Sequence, residues 1–286
     1  MEKNLGCQIN LDSGEGRIVS GSIVDDIRYG FTFLSVTFEC ESNLNITDNP
    51  STYITYFNND WVAYSVNKQL SNNNYWRYTG RFIPTSAFIL IDSPCNDMKT
   101  LASKMGLELS ENSISFTIDC PLINLYSGEI AMEYRRRSLN EAYYNRDLNK
   151  AMFIHFNSKY MLSIDWGHFL KSKSQQLVEF SFMPGTMEIS DYVQGVQNYY
   201  NHTRIWKPWT QDDTLLRMMN NFITIKSPLP ALFGVMYTIN FADTDVFNKD
   251  SAYLCVRIER QLATEHAQYE ITFAEIEHVD ESASDV

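Results

Sequence analysis

The segment Phe31-Thr-Phe-Leu-Ser-Val-Thr-Phe-Glu-Cys40 indicates most clearly how this chain folds. Its apolar and polar side chains alternate with the two-residue period of a β-strand that has one buried face. The side chains predicted to be buried are Leu34, Val36, Phe38 and Cys40, and those predicted to face outward are Ser35, Thr37 and Glu39. Strand structure is therefore expected to dominate the fold.

Segments with the same enrichment in β-branched and aromatic residues occur on both sides of this strand. They cover residues 52–57, 61–66, 75–82 and 87–91, separated by the predicted turns 58–60 and 71–74. Later candidates are residues 113–118, 176–182 and 235–241, a hairpin of 152–156 with 160–164, and a closing antiparallel hairpin of 252–260 with 268–276. The sequence thus predicts an α+β protein that is predominantly β.

A short helix interrupts the strands at residues 93–107. Ser93 is the predicted N-cap, Pro94 the first helical residue and Asp97 an acid of the first turn. Gly106 is predicted to end the helix in a left-handed conformation. The apolar stripe that should dock on a sheet consists of Met98, Leu101, Ala102 and Met105. Residues 137–148 and 189–200 are two further helix candidates.

The chain of 286 residues is long enough for two domains of ordinary size, and 44% of its residues are hydrophobic. We expect an N-terminal β-rich domain at residues 1–92 and a mixed α/β region at 93–230. Strands within residues 231–279 should complete a second β-domain, and residues 280–286 form an acidic tail. Both domains are expected to be tube-like antiparallel β-barrels or sheets.

Charge and targeting signals exclude several classes of protein. The net charge of −12 argues against a nucleic-acid surface, which needs Lys and Arg to neutralise phosphates. The basic run Arg135-Arg136-Arg137 is interpreted as a solvated or ion-paired patch. No apolar run reaches the roughly 20 residues of a membrane span, and the N-terminus has no signal-peptide core. Membrane insertion and secretion by a signal peptide are therefore not expected, and the protein should be made in a cytoplasm.

No motif for catalysis, metal binding or nucleotide binding occurs in the sequence. The five cysteines are widely spaced, with no CxxC pair, and the five histidines do not stand at metal-ligand spacings. Asp165-Trp-Gly-His168 combines an acid with an imidazole, but an ordinary turn explains it better because no nucleophile or orienting partner is evident. We therefore predict a protein that is not an enzyme and uses no cofactor or metal.

One aromatic cluster is a candidate binding surface. It consists of Tyr199, Tyr200, Trp206 and Trp209, with His202 nearby. Such side chains could stack on sugar rings or on a partner chain, although burial beneath a loop is the favoured interpretation, since aromatic side chains are common in cores as well as in interfaces.

Three stretches together resemble the baseplate hub proteins of contractile phage tails and related injection systems. The first is Cys95-Asn-Asp-Met-Lys-Thr-Leu-Ala-Ser-Lys-Met-Gly-Leu-Glu-Leu109, similar to the helix that follows the first barrel-like domain of a hub. The second covers residues 149–165, similar to a hub hairpin, and the third covers residues 253–276, similar to the closing hairpin. The resemblance spans residues 85–277 in order, but residues 189–230 match nothing in the family.

This resemblance implies a structural virion protein of a phage tail or baseplate. It implies a homotrimeric ring, made of two tube-like β-domains per subunit, that joins the tail tube to a central spike. Its partners would be copies of itself and other tail proteins, and it would be assembled in the host cytoplasm.

Two alternatives stay open at the level of sequence. One is a glycan hydrolase that uses carboxylates such as Asp165 and Glu179, which would need to lie about 5 to 10 Å apart. The other is a glycan-binding β-module built on Trp206 and Trp209.

Overall fold

The computed structural model describes residues 6–46, 52–71, 74–110, 125–128, 130, 152–157, 159–165, 178–181, 189–191, 220–240, 252–264 and 268–276. The N-terminal strands are β1 (Gly6–Asn10), β2 (Arg17–Asp26), β3 (Phe33–Cys40), β4 (Thr52–Tyr56), β5 (Asn59–Leu70) and β6 (Trp76–Pro84). A 3-10 helix (Thr85–Phe88), β7 (Leu90–Ile91), helix α1 (Met98–Lys104), β8 (Glu108–Leu109) and β9 (Leu125–Tyr126) follow. The later strands are β10 (Met152–Phe156), β11 (Tyr160–Asp165), β12 (Val178–Ser181), β13 (Ile189–Asp191), β14 (Asn220–Ser227), β15 (Met236–Asn240), β16 (Ala252–Leu262) and β17 (Tyr269–Ile276).

Twelve of these strands form one curled, half-barrel sheet, which confirms the predominantly β fold. Its main path runs β1-β4-β5-β6-β3-β2-β16-β17-β14-β13, and β15 extends it by pairing with β16 and β12. The antiparallel pair of β2 with β16 joins the N-terminal strands to the predicted closing hairpin of β16 and β17. The division of the chain into domains stays a prediction.

Strand β3 has the burial pattern that the alternation of its sequence predicts. Leu34, Val36 and Phe38 are at most 2% exposed. Glu39 departs from the prediction because it is only 7% exposed. It is covered by two arginines from the neighbouring strands, so its burial depends on pairing rather than on the pattern along its own strand.

The hairpin of β4 and β5 turns one residue earlier than the predicted turn at 58–60. Phe57 and Asn58 hold the positive φ angles, 53° and 54°, and β5 begins at Asn59. The carboxylate of Asp12, from another loop, accepts a hydrogen bond of 2.9 Å from each of their backbone N–H groups. A contact remote in sequence therefore fixes the place of this turn.

Helix α1 has the predicted apolar stripe and the predicted end. Met98, Leu101 and Ala102 are at most 1% exposed, and Gly106 has a φ of +70°. Its start was predicted incorrectly: the N-cap is Asp97, whose carboxylate accepts a 2.7 Å hydrogen bond from the Thr100 backbone N–H. Asp97 can cap the helix because its backbone is extended, which leaves its side chain beside the first free backbone N–H groups of α1.

Two other predictions of secondary structure are only partly right or wrong. The strand expected at 87–91 is confined to β7, because residues 85–88 form a 3-10 helix, where the Ser127 hydroxyl donates a 2.6 Å hydrogen bond to the Ser86 carbonyl. The second helix candidate begins as strand β13, because Ile189 and Asp191 pair with β14 and satisfy its backbone groups. Residues 113–118, 137–148 and 192–200 lie outside the described part of the chain.

Among the described residues, three apolar clusters form the core. One packs α1 against the hairpin of β10 and β11 and the loop after β2, and includes Phe31, Met98, Leu101, Ile154 and Phe156. The second lies under the N-terminal strands and includes Leu34, Phe38, Ile54, Tyr78 and Phe82. The third lies under the C-terminal strands and includes Ile225, Tyr237, Cys255, Ile271 and Phe273.

Candidate functional site

The sheet carries a polar face that runs across its N-terminal and C-terminal strands, on the side opposite the second and third apolar clusters. Cross-strand pairing places its side chains in rows. One row is Ser20, Thr37, Thr79 and Asn67, the next is Ser22, Ser35, Arg81 and Ser65, and a third is Thr224, Thr272, Arg257 and Asp26. We call this surface, from β14 to β5, the polar face.

The polar face holds a cavity of about 310 Å³, which is lined by Thr224 of β14, by Arg81 of β6 and by residues of the strands between them. Arg28 and Tyr29, from the loop after β2, also line this cavity.

Paired charges fill one end of the cavity. The Arg28 Nε lies 2.9 Å from Asp26 Oδ1 and 3.1 Å from Oδ2. Arg257 contacts Glu259, lies 3.0 Å from Glu270 Oε1 and approaches Asp26 Oδ2 at 3.6 Å. Burial by itself would raise the pKa of Asp26, but the charges and hydrogen bonds of Arg28, together with Arg257, outweigh burial and hold that pKa below its usual value.

A second charged group crosses three strands farther along the polar face. Glu39 of β3 accepts hydrogen bonds of 2.7 Å from Arg17 Nη2 of β2 and of 2.8 Å from Arg77 Nε of β6. The hydrogen bond from Arg17, followed by that from Arg77, lowers the pKa of Glu39. Beside this group, the hydroxyls of Thr37 and Thr79 lie 3.0 Å apart.

On the opposite face of β2, the neighbouring residue Asp25 meets a histidine. Asp25 Oδ1 lies 2.9 Å from His155 Nε2 and also accepts a hydrogen bond from the Thr32 hydroxyl. The other ring nitrogen, His155 Nδ1, lies 3.1 Å from the Tyr29 carbonyl oxygen. Thr32 already gives its proton to Asp25, so the three side chains form a structural polar cluster rather than an activated nucleophile.

Beside this cluster lies a groove of about 390 Å³ between the hairpin of β10 and β11 and the loop after β14. Its rim includes Tyr160, Leu232 and Arg260. Leu229 lies three residues before Leu232 on the same loop. Leu229 is 65% exposed and Leu232 61% exposed. We call this region the apolar groove.

Most of the residues that the sequence singled out stay predictions. Tyr199, Tyr200, Trp206, Trp209, His168 and the run 135–137 all lie outside the described residues. Asp165 and Glu179 belong to β11 and β12, which are strands of different sheets. The sequence analysis missed the polar face, although a strand ending in Asp25-Asp26 with Arg28 two residues later was a signal that charge would be buried there.

Within the part of the chain that the structure describes, no group of three or more His, Cys, Asp or Glu side chains could hold a metal ion. The same residues contain no helix that is long and apolar enough to cross a membrane. Cys40, Cys95 and Cys255 are buried free thiols, and burial raises the pKa of each one.

No protein-family model matches the sequence, and no curated protein matches it either. The fold is similar to that of several solved tail proteins. A tail protein of Neisseria meningitidis MC58 aligns with a TM-score of 0.45 and 10% identity, over 91% of this chain and 92% of that one. A prophage MuSo2 tail protein of 43 kDa from Shewanella oneidensis aligns with a TM-score of 0.46 and 6% identity, over 90% and 94%.

A third similar structure is the Escherichia coli c3393 protein, a component of the type VI secretion system described as structurally similar to the bacteriophage T4 tail proteins gp27 and gp5. It aligns with a TM-score of 0.49 and 11% identity, over 93% of this chain and 74% of that one. The solved structures to which this chain is similar are thus those of phage tail and type VI secretion proteins.

Proposed function

We propose that this chain is a structural protein of a phage tail or a related baseplate. More specifically, we propose a hub that joins the tail tube to a spike, forms a homotrimer and binds other tail proteins in the virion. The resemblance of residues 85–277 to hub proteins suggested this role. The architecture of the sheet supports the same role independently of that resemblance.

The observation that carries the proposal is the polar face, which crosses strands from both ends of the chain in one curled sheet. Its rows consist of hydroxyl, amide and paired charged side chains rather than of a packed core. A curled wall of this kind suits a subunit that surrounds a passage together with further copies.

The apolar groove on the other side of the sheet suits a contact between protein chains. Leu229 and Leu232 are large apolar side chains, and both are more than half exposed. Exposed apolar side chains that stand together with an arginine and a tyrosine are typical of protein interfaces. We therefore place the contact with a neighbouring tail chain at this groove.

Light scattering on the purified protein, alone and with candidate tail proteins, tests the proposal. We expect a trimer or a defined complex, and the double variant Leu229→Asp, Leu232→Asp should lose that assembly while its circular dichroism stays unchanged. Leu70→Asp is the matched control, because Leu70 is 57% exposed at the end of β5. A monomer that recruits no tail protein would contradict the proposal.

A further inference from the structure

Arg81 is a cation of the cavity; it interacts with the Tyr29 hydroxyl and has no carboxylate partner among the described residues. Its guanidinium carbon lies 5.5 Å from the centre of the Phe33 ring, so an aromatic face holds the group in place. Arg28 and Arg257, the other arginines of the cavity, are each paired with carboxylates. Arg81 is also only partly exposed, so water cannot solvate its charge from every side.

Two hydroxyl groups stand beside Arg81 in the same cross-strand row. Ser22 pairs with Ser35 and Ser35 pairs with Arg81, so the three side chains project from neighbouring strands onto the polar face. Directly opposite residues have Cβ atoms about 5 Å apart. Ser22 is only 6% exposed and lines the cavity, as does Ser35. The guanidinium of Arg81 and the hydroxyls of Ser22 and Ser35 therefore line the same cavity.

We propose that this row is an oxyanion-binding site, which accepts a carboxylate or phosphate group between Arg81 and the hydroxyls of Ser22 and Ser35. The planar guanidinium can donate two parallel hydrogen bonds to such a group, and the hydroxyls can donate to its remaining oxygen atoms. The proposal is independent of the tail role, because it concerns only the chemistry of the cavity.

The acidic side chains near Arg257 restrict the anion to the end of the cavity where Arg81 lies. Glu259 and Glu270 both contact Arg257, so two carboxylates share one guanidinium there and that end repels a further anion. The Arg81 end has no carboxylate paired with its cation among the residues described, and it is where an added negative charge is stabilised.

Isothermal titration with sodium phosphate and with sodium succinate, at a constant ionic strength of about 0.15 M, tests the site. We expect saturable binding to the wild-type protein and a loss of affinity of at least about tenfold in Arg81→Gln, because a hydrogen bond to a charged group is lost. Arg77→Gln is the matched control: Arg77 lies on the same strand and face but is paired with Glu39. It should keep the wild-type affinity.

Ser35→Ala is a second variant that changes no charge, and it should weaken binding severalfold in a protein with an unchanged melting temperature. A third ligand, a short peptide rich in aspartate and glutamate, distinguishes the sources of the anion. Binding of the free anions alone would assign the site to a small molecule, and tighter binding of the peptide would assign it to an acidic protein segment. Equal loss in Arg77→Gln and Arg81→Gln, or no binding of any of the three ligands, would overturn the proposal.

Discussion

Asp26→Asn is the substitution that best tests how the polar face is stabilised. Asp26 is 2% exposed, and its carboxylate neutralises Arg28, which is 7% exposed. The asparagine keeps the shape of the side chain but removes the carboxylate charge that pairs with the buried Arg28 guanidinium. Removal of one partner from a buried ion pair costs about 3 to 5 kcal/mol, so we expect a loss of that size in the free energy of unfolding.

Urea unfolding followed by fluorescence measures this loss. With an m-value of about 3 kcal/mol per molar, the midpoint should fall by about 1 M or more. The exposed residue Glu41 supplies the control for net charge, and Glu41→Gln should change stability by no more than about 0.5 kcal/mol. A loss below about 1 kcal/mol for Asp26→Asn would refute the argument that this pair is desolvated.

A double variant separates the charge from the shape of the site. Asp26→Asn combined with Arg28→Met removes both members of the pair, and a well-packed apolar replacement of a buried ion pair is often nearly neutral. We expect the double variant to recover more than half of the stability lost in the single variant. Arg257 keeps its own partners Glu259 and Glu270 in both proteins.

The contribution of Asp26 to the free energy of unfolding should depend on pH in one direction. The pKa of Asp26 in the folded protein lies below the usual value of 3.8, so its carboxylate contributes stability above that pH. The contribution is lost as the pH falls from 3.8 through the lower pKa of the folded state. The stability difference between the wild-type protein and Asp26→Asn should therefore stay constant between about pH 7 and pH 5 and should narrow at more acidic pH. A difference that widens on acidification would contradict the assigned direction.

Three further variants test the packing, all by thermal melting. Gly80→Ala should cost about 1 to 3 kcal/mol, because the added Cβ would lie 2.5 Å from the Ser65 carbonyl oxygen, and an unchanged melting temperature would contradict this close approach. Leu101→Ala should cost about 2 to 5 kcal/mol, because Leu101 is 0% exposed in the first apolar cluster; a cost under about 1 kcal/mol would mean that α1 is not anchored there. Ala263→Gly should stabilise by up to about 1 kcal/mol, because Ala263 has a φ of 59° and the relief of left-handed strain exceeds the entropy that glycine adds to the unfolded chain; a loss of stability would refute the strain.

The candidate site shows the limit of local patterns. The alternation in β3 predicts which side of that strand is polar, and Ser35, Thr37 and Glu39 do lie on the polar face. The alternation along a strand does not show which charged residues will pair across strands. Asp26 interacts with Arg257, which is more than 200 positions later, and the two meet because β2 pairs with β16. The same holds for Asp25 and His155, which come from β2 and β10.

The sequence by itself determined the properties that arise from neighbouring residues. The two-residue period produced the strands, and the stripe of Met98, Leu101 and Ala102 together with Gly106 produced α1 and its end, because side-chain direction follows directly from the local backbone geometry. Only the tertiary structure decided that Ile189 joins a sheet edge and that strands from both ends of the chain share one curled sheet. Those outcomes depend on pairing between distant segments, where hydrogen bonding and burial across the fold outweigh local propensity.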